Sequence, residues 1–359
     1  MTPLLSVIVP AKDKEAHLAD CLGSLVGQLA DPDALEVIVV DDGSRDATAD
    51  IAAGFADRLP GLVVLSNQQA VGLASARNQG LRRSTGRYLA YLDGDDWLAR
   101  GHLSRMVTAI GDLGVDFVRT DHVQSTHGQR VVFRAPEARR GRVLDPRDSI
   151  LPMTTSTMVD YCYAWAGIFD RRIAPLLTFP DGLFTAEDRS WAWRLHLRAS
   201  SYAVVGPPGI LYRRGVPTSL TQIYDRRQLD FLPAFDGVFA EVRADHQSGR
   251  WWPKASRMFL GVLSHHLGRQ RLMAQAERRS LAIGARRILA QIPPDVLEVS
   301  LRSCPPDRQT LLRPVLAGSL LSRTVLSRTV LSRTVLGRRL PGRRLPGAAP
   351  AGVRRRGAA

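Results

Sequence analysis

At 359 residues, 45% of them hydrophobic and 23% charged, the chain is long enough to bury a substantial core, and one enlarged domain or a domain with an appendage is expected. Its three cysteines, Cys21, Cys162 and Cys304, are odd in number and far apart, which excludes a disulfide framework or a metal-spaced pair and favours a reducing cytosol. Of the +15 charge, eleven arginines lie in residues 313–359, which hold no acid, leaving +4 for residues 1–312.

The opening MTPLLSVIVPAKD has no basic segment ahead of its apolar run, so it reads as a first strand and as a poor signal peptide. Four β-rich runs follow in order: SVIVP (6–10), LEVIVVDD (35–42), LVVL (62–65) and YLAYLD (88–93). Between the first two, Leu18, Leu22, Leu25 and Leu29 recur at helical spacing and make one apolar face. The longest uncharged stretch, Leu59 to Ala76, is broken by Pro60 and by SNQQ and cannot span a membrane. Strands alternating with helices imply a parallel sheet, whose ligands sit beyond the carboxyl ends of the strands. Three of the four runs end in chemically useful residues: Pro10 to Asp13, Asp41 to Ser44, and Asp93 to Asp96.

Residues 226–312 read as helices with Leu, Phe and Trp inward, broken at Pro293–Pro294 and Pro305–Pro306, offering a face for the first domain or for a second copy. Beyond them SRTVL repeats three times from Ser322 to Leu336 and GRRLP twice from Gly337 to Pro346. A five-residue period turns each arginine about 140° round a helix, so no amphipathic face forms and residues 313–359 are expected to be a disordered basic tail. Such a tail is attracted to anionic lipid headgroups, and to nucleic acid through phosphate charge alone, without specificity.

No G-x-G-x-x-G follows the first strand, and no P-loop or G-x-S-x-G elbow is present, so dinucleotide oxidoreductases, P-loop NTPases and α/β-hydrolases are poorly supported. A diphosphate bound without a glycine cradle needs its charge neutralised otherwise. Asp93 and Asp95, flanking Gly94, can turn oxygens toward one hard divalent cation, although an Asp-Gly surface turn has the same composition.

Four segments in order, SVIVPAKDKEAHLADCL, EVIVVDDGSRDAT, NQQAVGLASARNQGL and GRYLAYLDGDDWL, resemble the glycosyltransferase family 2 enzymes, nucleotide-sugar-dependent inverting transferases of the GT-A fold. TAEDRSWAWRLHL resembles the family's acceptor-side E-D motif, and YRRGVPTSLTQ its late phosphate-contacting segment. Together the matches run from about Leu5 to Thr221. The resemblance implies a Rossmann-like α/β catalytic domain over residues 1–225; the helical region 226–312 and the tail 313–359 that follow it rest on pattern and composition alone.

It also implies roles. Pro10 would lie against the base, Asp42 would accept the uracil imide N–H, and Asn67 and Arg77 would contact the nucleoside and its phosphate side. Asp93 would reach the ribose and the metal, and Asp95 would be the main ligand of Mn²⁺ or Mg²⁺. Arg213 and Ser219 would close over the diphosphate, although Pro217 stands where many relatives have a histidine. Asp188 would be the catalytic base, with Glu187 orienting the base or the acceptor.

Each of these residues also has a purely structural reading. DDGS is a strand-to-helix turn with Ser44 as cap, Arg77 is a solvated helix charge, and Thr185 with Asp188 is a capping-box pattern. Asp96 reads as the cap of a helix beginning near Trp97, and Trp191 and Trp193 as core more than as sugar platforms. The expected protein is a hexosyltransferase moving a sugar, from UDP, to a hydroxyl of a cell-envelope polysaccharide, a teichoic-acid-like polyol-phosphate polymer or a lipid-linked glycan. Expected too are a cytoplasmic location, with peripheral contact at the inner face of the membrane, and room for a homo-oligomer. The alternatives are a non-catalytic nucleotide-sugar binder and a basic nucleic-acid-binding protein, the latter resting on the tail.

Overall fold

A first strand whose every residue is buried must be covered on both faces, and LSVIVPA is such a strand. The computed structural model of the chain describes residues 2–215, 223 and 225–317. In it β1 (Leu5–Ala11), β2 (Leu35–Asp41), β3 (Gly61–Ser66) and β4 (Tyr88–Tyr91) form a parallel set. The four apolar runs thus become four strands. They are joined by α1 (Leu18–Leu25), α2 (Thr48–Ala53) and α3 (Leu73–Arg83). The helix expected to carry Leu29 ends earlier, with Val26 extended and Gly27 at φ 72°. A glycine stops it because only that residue enters the left-handed region without cost.

Past β4 the sheet becomes mixed. It contains β5 (Trp97–Leu98), then, after α4 (His102–Leu113), β6 (Phe117–Thr126), β7 (Gln129–Phe133) and β8 (Gly167–Asp170). It is completed, after α5 (Asp188–Arg198), by β9 (Tyr202–Arg213). The order is β3-β2-β1-β4-β8-β6-β9-β5, with β7 paired to β6. Residues 97 and 98, expected to open a helix, instead pair with Leu211 and Ile210 of β9. A distant strand captured a segment whose acidic neighbour resembled a cap.

Register positions the site. Ala11 lies beside Asp41, Asp41 beside Ser66, and Ile8 beside Tyr91, so the ends of β1, β2 and β4 reach one edge together. α3 lies tight against the sheet below that edge: a Cβ on Gly80 would come 2.3 Å from Ile8 Cγ2.

Residues beyond the sheet form α6 (Phe231–Ala244), α7 (Ser248–Arg269), α8 (Gln275–Leu289), α9 (Pro294–Arg302) and α10 (Pro306–Ala317). They bury a second core that includes Phe235, Phe239, Trp251 and Phe259, and α5 contributes Trp193 to it. Trp191, one helix position pair away, packs in the sheet core. Both tryptophans are thus core residues, not sugar platforms. α10 continues past Leu312 to Ala317, with Val315 and Leu316 buried. No helix of the described residues is long and apolar enough to cross a membrane.

Candidate active site

The acidic turn after β4 is held by three cations. Lys14 Nζ donates to Asp95 Oδ2 at 2.6 Å. Arg77 Nη2 donates to Asp93 Oδ1 at 2.8 Å, and its other terminal nitrogen to Glu187. Arg213 donates its backbone N–H to Asp96 Oδ1 at 2.7 Å and its Nε–H to the Asp95 carbonyl at 2.9 Å. Like charges that repel in isolation are thereby each given an opposite charge or a hydrogen-bond donor.

Arg77 is no solvated helix charge. It is 2% exposed on α3, above the Phe179 ring. Burial would depress its pKa, but Asp93 and Glu187 outweigh burial and raise it, so the guanidinium stays charged. One buried cation therefore ties the end of β4, 16 residues on from it, to the start of α5, 110 residues on from it.

Asp96 is wholly buried and its carboxyl is raised well above the usual range, first by burial and then by Asp95 and Asp93. It caps no helix; it clamps β9 to the turn.

Asp42 is committed more heavily than a nucleobase contact requires. Its Oδ1 accepts from Asn67 Nδ2 at 3.0 Å and from the Val71 N–H at 2.8 Å, and its Oδ2 from the Gly72 N–H at 3.0 Å. A carboxylate has about four lone-pair directions, so one remains for a ligand. Nor is Ser44 the cap of α2: its hydroxyl accepts from the Asp13 N–H at 2.9 Å, while Asp46 accepts from the Thr48 N–H at 3.0 Å. Lys12 Nζ, donating to the Gly43 carbonyl at 2.9 Å, completes this latch between the loops after β1 and β2.

At the start of α5 the capping box, the structural alternative for Thr185 and Asp188, does not form. Thr185 donates its hydroxyl to the Arg227 carbonyl at 2.7 Å, and Glu187 at the cap position makes no side-chain cap bond. Ala186, in the left-handed region at φ 58°, turns the chain into the helix; such a conformation costs a non-glycine residue energy and marks constrained sites. Asp188 lines the cavity and makes no ion pair among the described residues. Its carboxyl is pushed up to about 7, by burial first and then by the neighbouring Glu187. The Glu187 carboxyl is also raised by burial, against the pull of Arg77.

Pro10, Asp42, Arg77, Asp93, Asp95, Glu187, Asp188 and Arg213 all line one cavity of about 1100 Å³. Asn67 stands behind Asp42. Ser219 lies outside the described residues, as do residues 318–359 of the tail. Sequence reasoning missed Lys12 and Lys14, yet a signal existed: they are two of the three lysines in an arginine-rich chain.

The fit to a divalent cation rests on Asp93 and Asp95. Each engages one oxygen with a cation of the chain, and both residues line the cavity. Gly94 between them packs closely on the end of β1, since a Cβ there would lie 3.2 Å from Ala11 Cβ and from the Pro10 carbonyl oxygen. No group of three protein ligands occurs among the described residues. Two hard oxygens suit Mg²⁺ or Mn²⁺, ions that take one or two carboxylates and fill the remaining positions with substrate phosphates and water.

Comparison with known families aligns residues 6–172 with Glycosyl transferase family 2. This stretch is a glycosyltransferase family 2 domain. The chain is 28% identical over 240 residues to the uncharacterized glycosyltransferase EpsJ of Bacillus subtilis, covering 66% of each. It is 34% identical over 96 residues to the minor teichoic acid biosynthesis protein GgaB of Bacillus subtilis, covering 27% of this chain and 11% of that one. With EpsJ the match spans just under two thirds of the relative's length. Among solved structures, S. aureus TarS 1-349 in complex with UDP-GlcNAc superposes with a TM-score of 0.66 at 18% identity, over 91% of this chain and 92% of that one. That likeness shows the GT-A fold, including the helical region that follows the family 2 domain.

Proposed function

We propose that the chain is an inverting glycosyltransferase that moves a sugar from a nucleotide donor, UDP-linked, to a hydroxyl of a cell-envelope polysaccharide, a teichoic-acid-like polymer or a lipid-linked glycan. The observation that carries the reading is the pairing, in one cavity of a family 2 domain, of a cation-rich acidic turn with Asp188, a carboxyl poised near neutrality. EpsJ bears the name of a glycosyltransferase, GgaB that of teichoic acid biosynthesis, and TarS was solved with UDP-GlcNAc.

In this reading the nucleoside lies between Pro10 and the Asp42 loop, and the diphosphate faces Arg77, Lys14 and Arg213. A divalent cation held by Asp93 and Asp95 would add positive charge at the departing diphosphate. Asp188 takes the proton of the acceptor hydroxyl as its oxygen bonds to the anomeric carbon. The bond from that carbon to the diphosphate breaks on the opposite face, and the electron pair leaves with the nucleotide. Glu187 holds Arg77 charged and keeps a second negative group beside Asp188, which raises the basicity of the base.

Thermal shift with UDP, UDP-sugars and GDP-mannose, each in Mn²⁺ and in EDTA, tests donor and metal together. A ligand at a hundred times its Kd stabilises by about 2.7 kcal/mol. UDP and its sugars should raise the melting temperature more in Mn²⁺, and Asp95→Ala should abolish the difference. Equal shifts with and without metal would remove the cation from this site; no shift from any nucleotide would overturn the donor reading.

A further inference from the structure

The cavity does not end at Asp188. It continues along α7, where Arg257, Met258, Gly261, Val262, His265 and Arg269 face it at helical spacing, and α10 adds Arg308. Arg308 Nη1 lies 3.4 Å from the point a Cβ of Gly261 would occupy. Cationic groups thus lie beside positions 257, 261 and 269 of one helix, about 6 and 18 Å along its axis from the first.

The row has no counter-charge among the described residues. Lys254 is neutralised by Asp160 and Arg227 by Asp225, but Arg257, Arg269 and Arg308 form no ion pair among the described residues. Residues 216–222, 224 and 318–359 contain no Asp or Glu that could supply one. Arg257 Nε is moreover buried without a hydrogen-bond partner among the described residues, a state that leaves a desolvated donor uncompensated. The field of the row is felt by its neighbours. His265 is held below its ordinary pKa by burial, then by Arg269 and Arg308, and His266 is pushed to about 4 by burial, then His265, Arg269 and Arg189.

Resting on the transferase reading above, we infer that this arm is an acceptor subsite for a polyol chain carrying repeated phosphodiesters, whose phosphates lie along the Arg257, Arg308 and Arg269 row while a hydroxyl reaches Asp188. A single diphosphate matches the row poorly, because the cations are spread over three turns of α7. A neutral glycan would leave every one of them unpaired. Guanidinium groups suit phosphate oxygens, which accept its paired donors.

Fluorescence anisotropy with a short labelled oligo(glycerol phosphate) tests the subsite on the full chain. Its comparison probes are a neutral polyether of equal length, an oligothymidylate, and vesicles carrying a prenyl diphosphate. The glycerol phosphate oligomer should bind at least about tenfold tighter than the neutral chain, with affinity falling steeply as salt rises. The double variant Arg257→Gln, Arg308→Gln should lose most of that advantage and flatten the salt dependence, while the charge-keeping Arg257→Lys, Arg308→Lys retains more of it. UDP-induced thermal shifts should be the same in wild type and variant, which separates the two sites. Equal binding of the neutral chain, tighter binding of the oligothymidylate or the lipid diphosphate, or an unaffected double variant would each overturn the subsite. If UDP fails to shift wild type while the oligomer result holds, the donor reading falls and the anion subsite stands.

Discussion

Burial, then the neighbouring Glu187, pushes the Asp188 carboxyl up to about 7, and this makes Asp188 the most informative single residue of the site. If it is the base, kcat/KM should climb as pH rises through about 7, because only the deprotonated form accepts the acceptor's proton. Asp188→Asn should remove that limb and lower turnover by about 10² to 10⁴, with UDP affinity near wild type. The same raised pKa has a stability consequence of determinate sign. The folded chain holds this proton more tightly than the unfolded chain, whose Asp titrates near about 3.9, so its contribution to stability is lost as pH rises from there through about 7. Asp188→Asn should therefore flatten the dependence of the urea midpoint on pH in that window, a result that a purely catalytic assay would not reveal. Full turnover in the Asn variant would remove Asp188 from the mechanism.

At the scale of elements, α5, α6 and α7 meet at a polar clamp built on Arg147. Arg147 donates from both terminal nitrogens to Asp245 after α6, at 2.8 Å each, and also to the Leu197 carbonyl at the end of α5. The Trp251 indole N–H reaches the same carboxylate at 2.9 Å. Asp245→Ala takes a bidentate acceptor from part-buried Arg147, which keeps the Leu197 carbonyl, and an acceptor from Trp251, so it should cost about 1 to 3 kcal/mol in urea unfolding at neutral pH. Hydrogen bonding to Arg147 holds the Asp245 carboxyl far below the usual range, so this stability is present above the unfolded pKa and is lost as pH falls below it. The difference between wild type and variant should accordingly narrow in acid; an unchanged midpoint at neutral pH would show that the clamp stabilises nothing.

For the whole molecule, the end of α10 decides how the basic extension can be studied. Deleting from residue 313 would cut away buried Val315 and Leu316, whereas a chain stopped after Ala317 keeps them. The longer truncation should lower the melting temperature, since burying an aliphatic side chain is worth about 1.5 to 3 kcal/mol. The shorter one should preserve melting and UDP binding while weakening attachment to anionic vesicles at low salt, a difference that high salt erases. Unchanged vesicle attachment after the shorter cut would leave residues 318–359 without a membrane role.

What the sequence by itself determined lies in local pattern. Runs of Val, Ile and Leu specify buried parallel strands by composition alone, and the residues ending them fall at the sheet's carboxyl edge, the side on which such sheets take their ligands. Pro10, Asp42, Asp93, Asp95, Glu187 and Asp188 were legible for that reason and through their motifs. Only the tertiary structure decided which charges meet. Arg77 becomes a buried bridge because Asp93 and Glu187 close on it from 16 and 110 residues away, Lys14 finds Asp95 across 81, and Trp97 joins β9 instead of opening a helix. The cation row of α7 and α10 escaped notice in the same way, since spacing along one segment says nothing of a second helix packed beside it. Propensity and periodicity act within a few residues, while desolvation and Coulomb energy depend on distance in space and on what excludes water, quantities that exist only once the chain has folded.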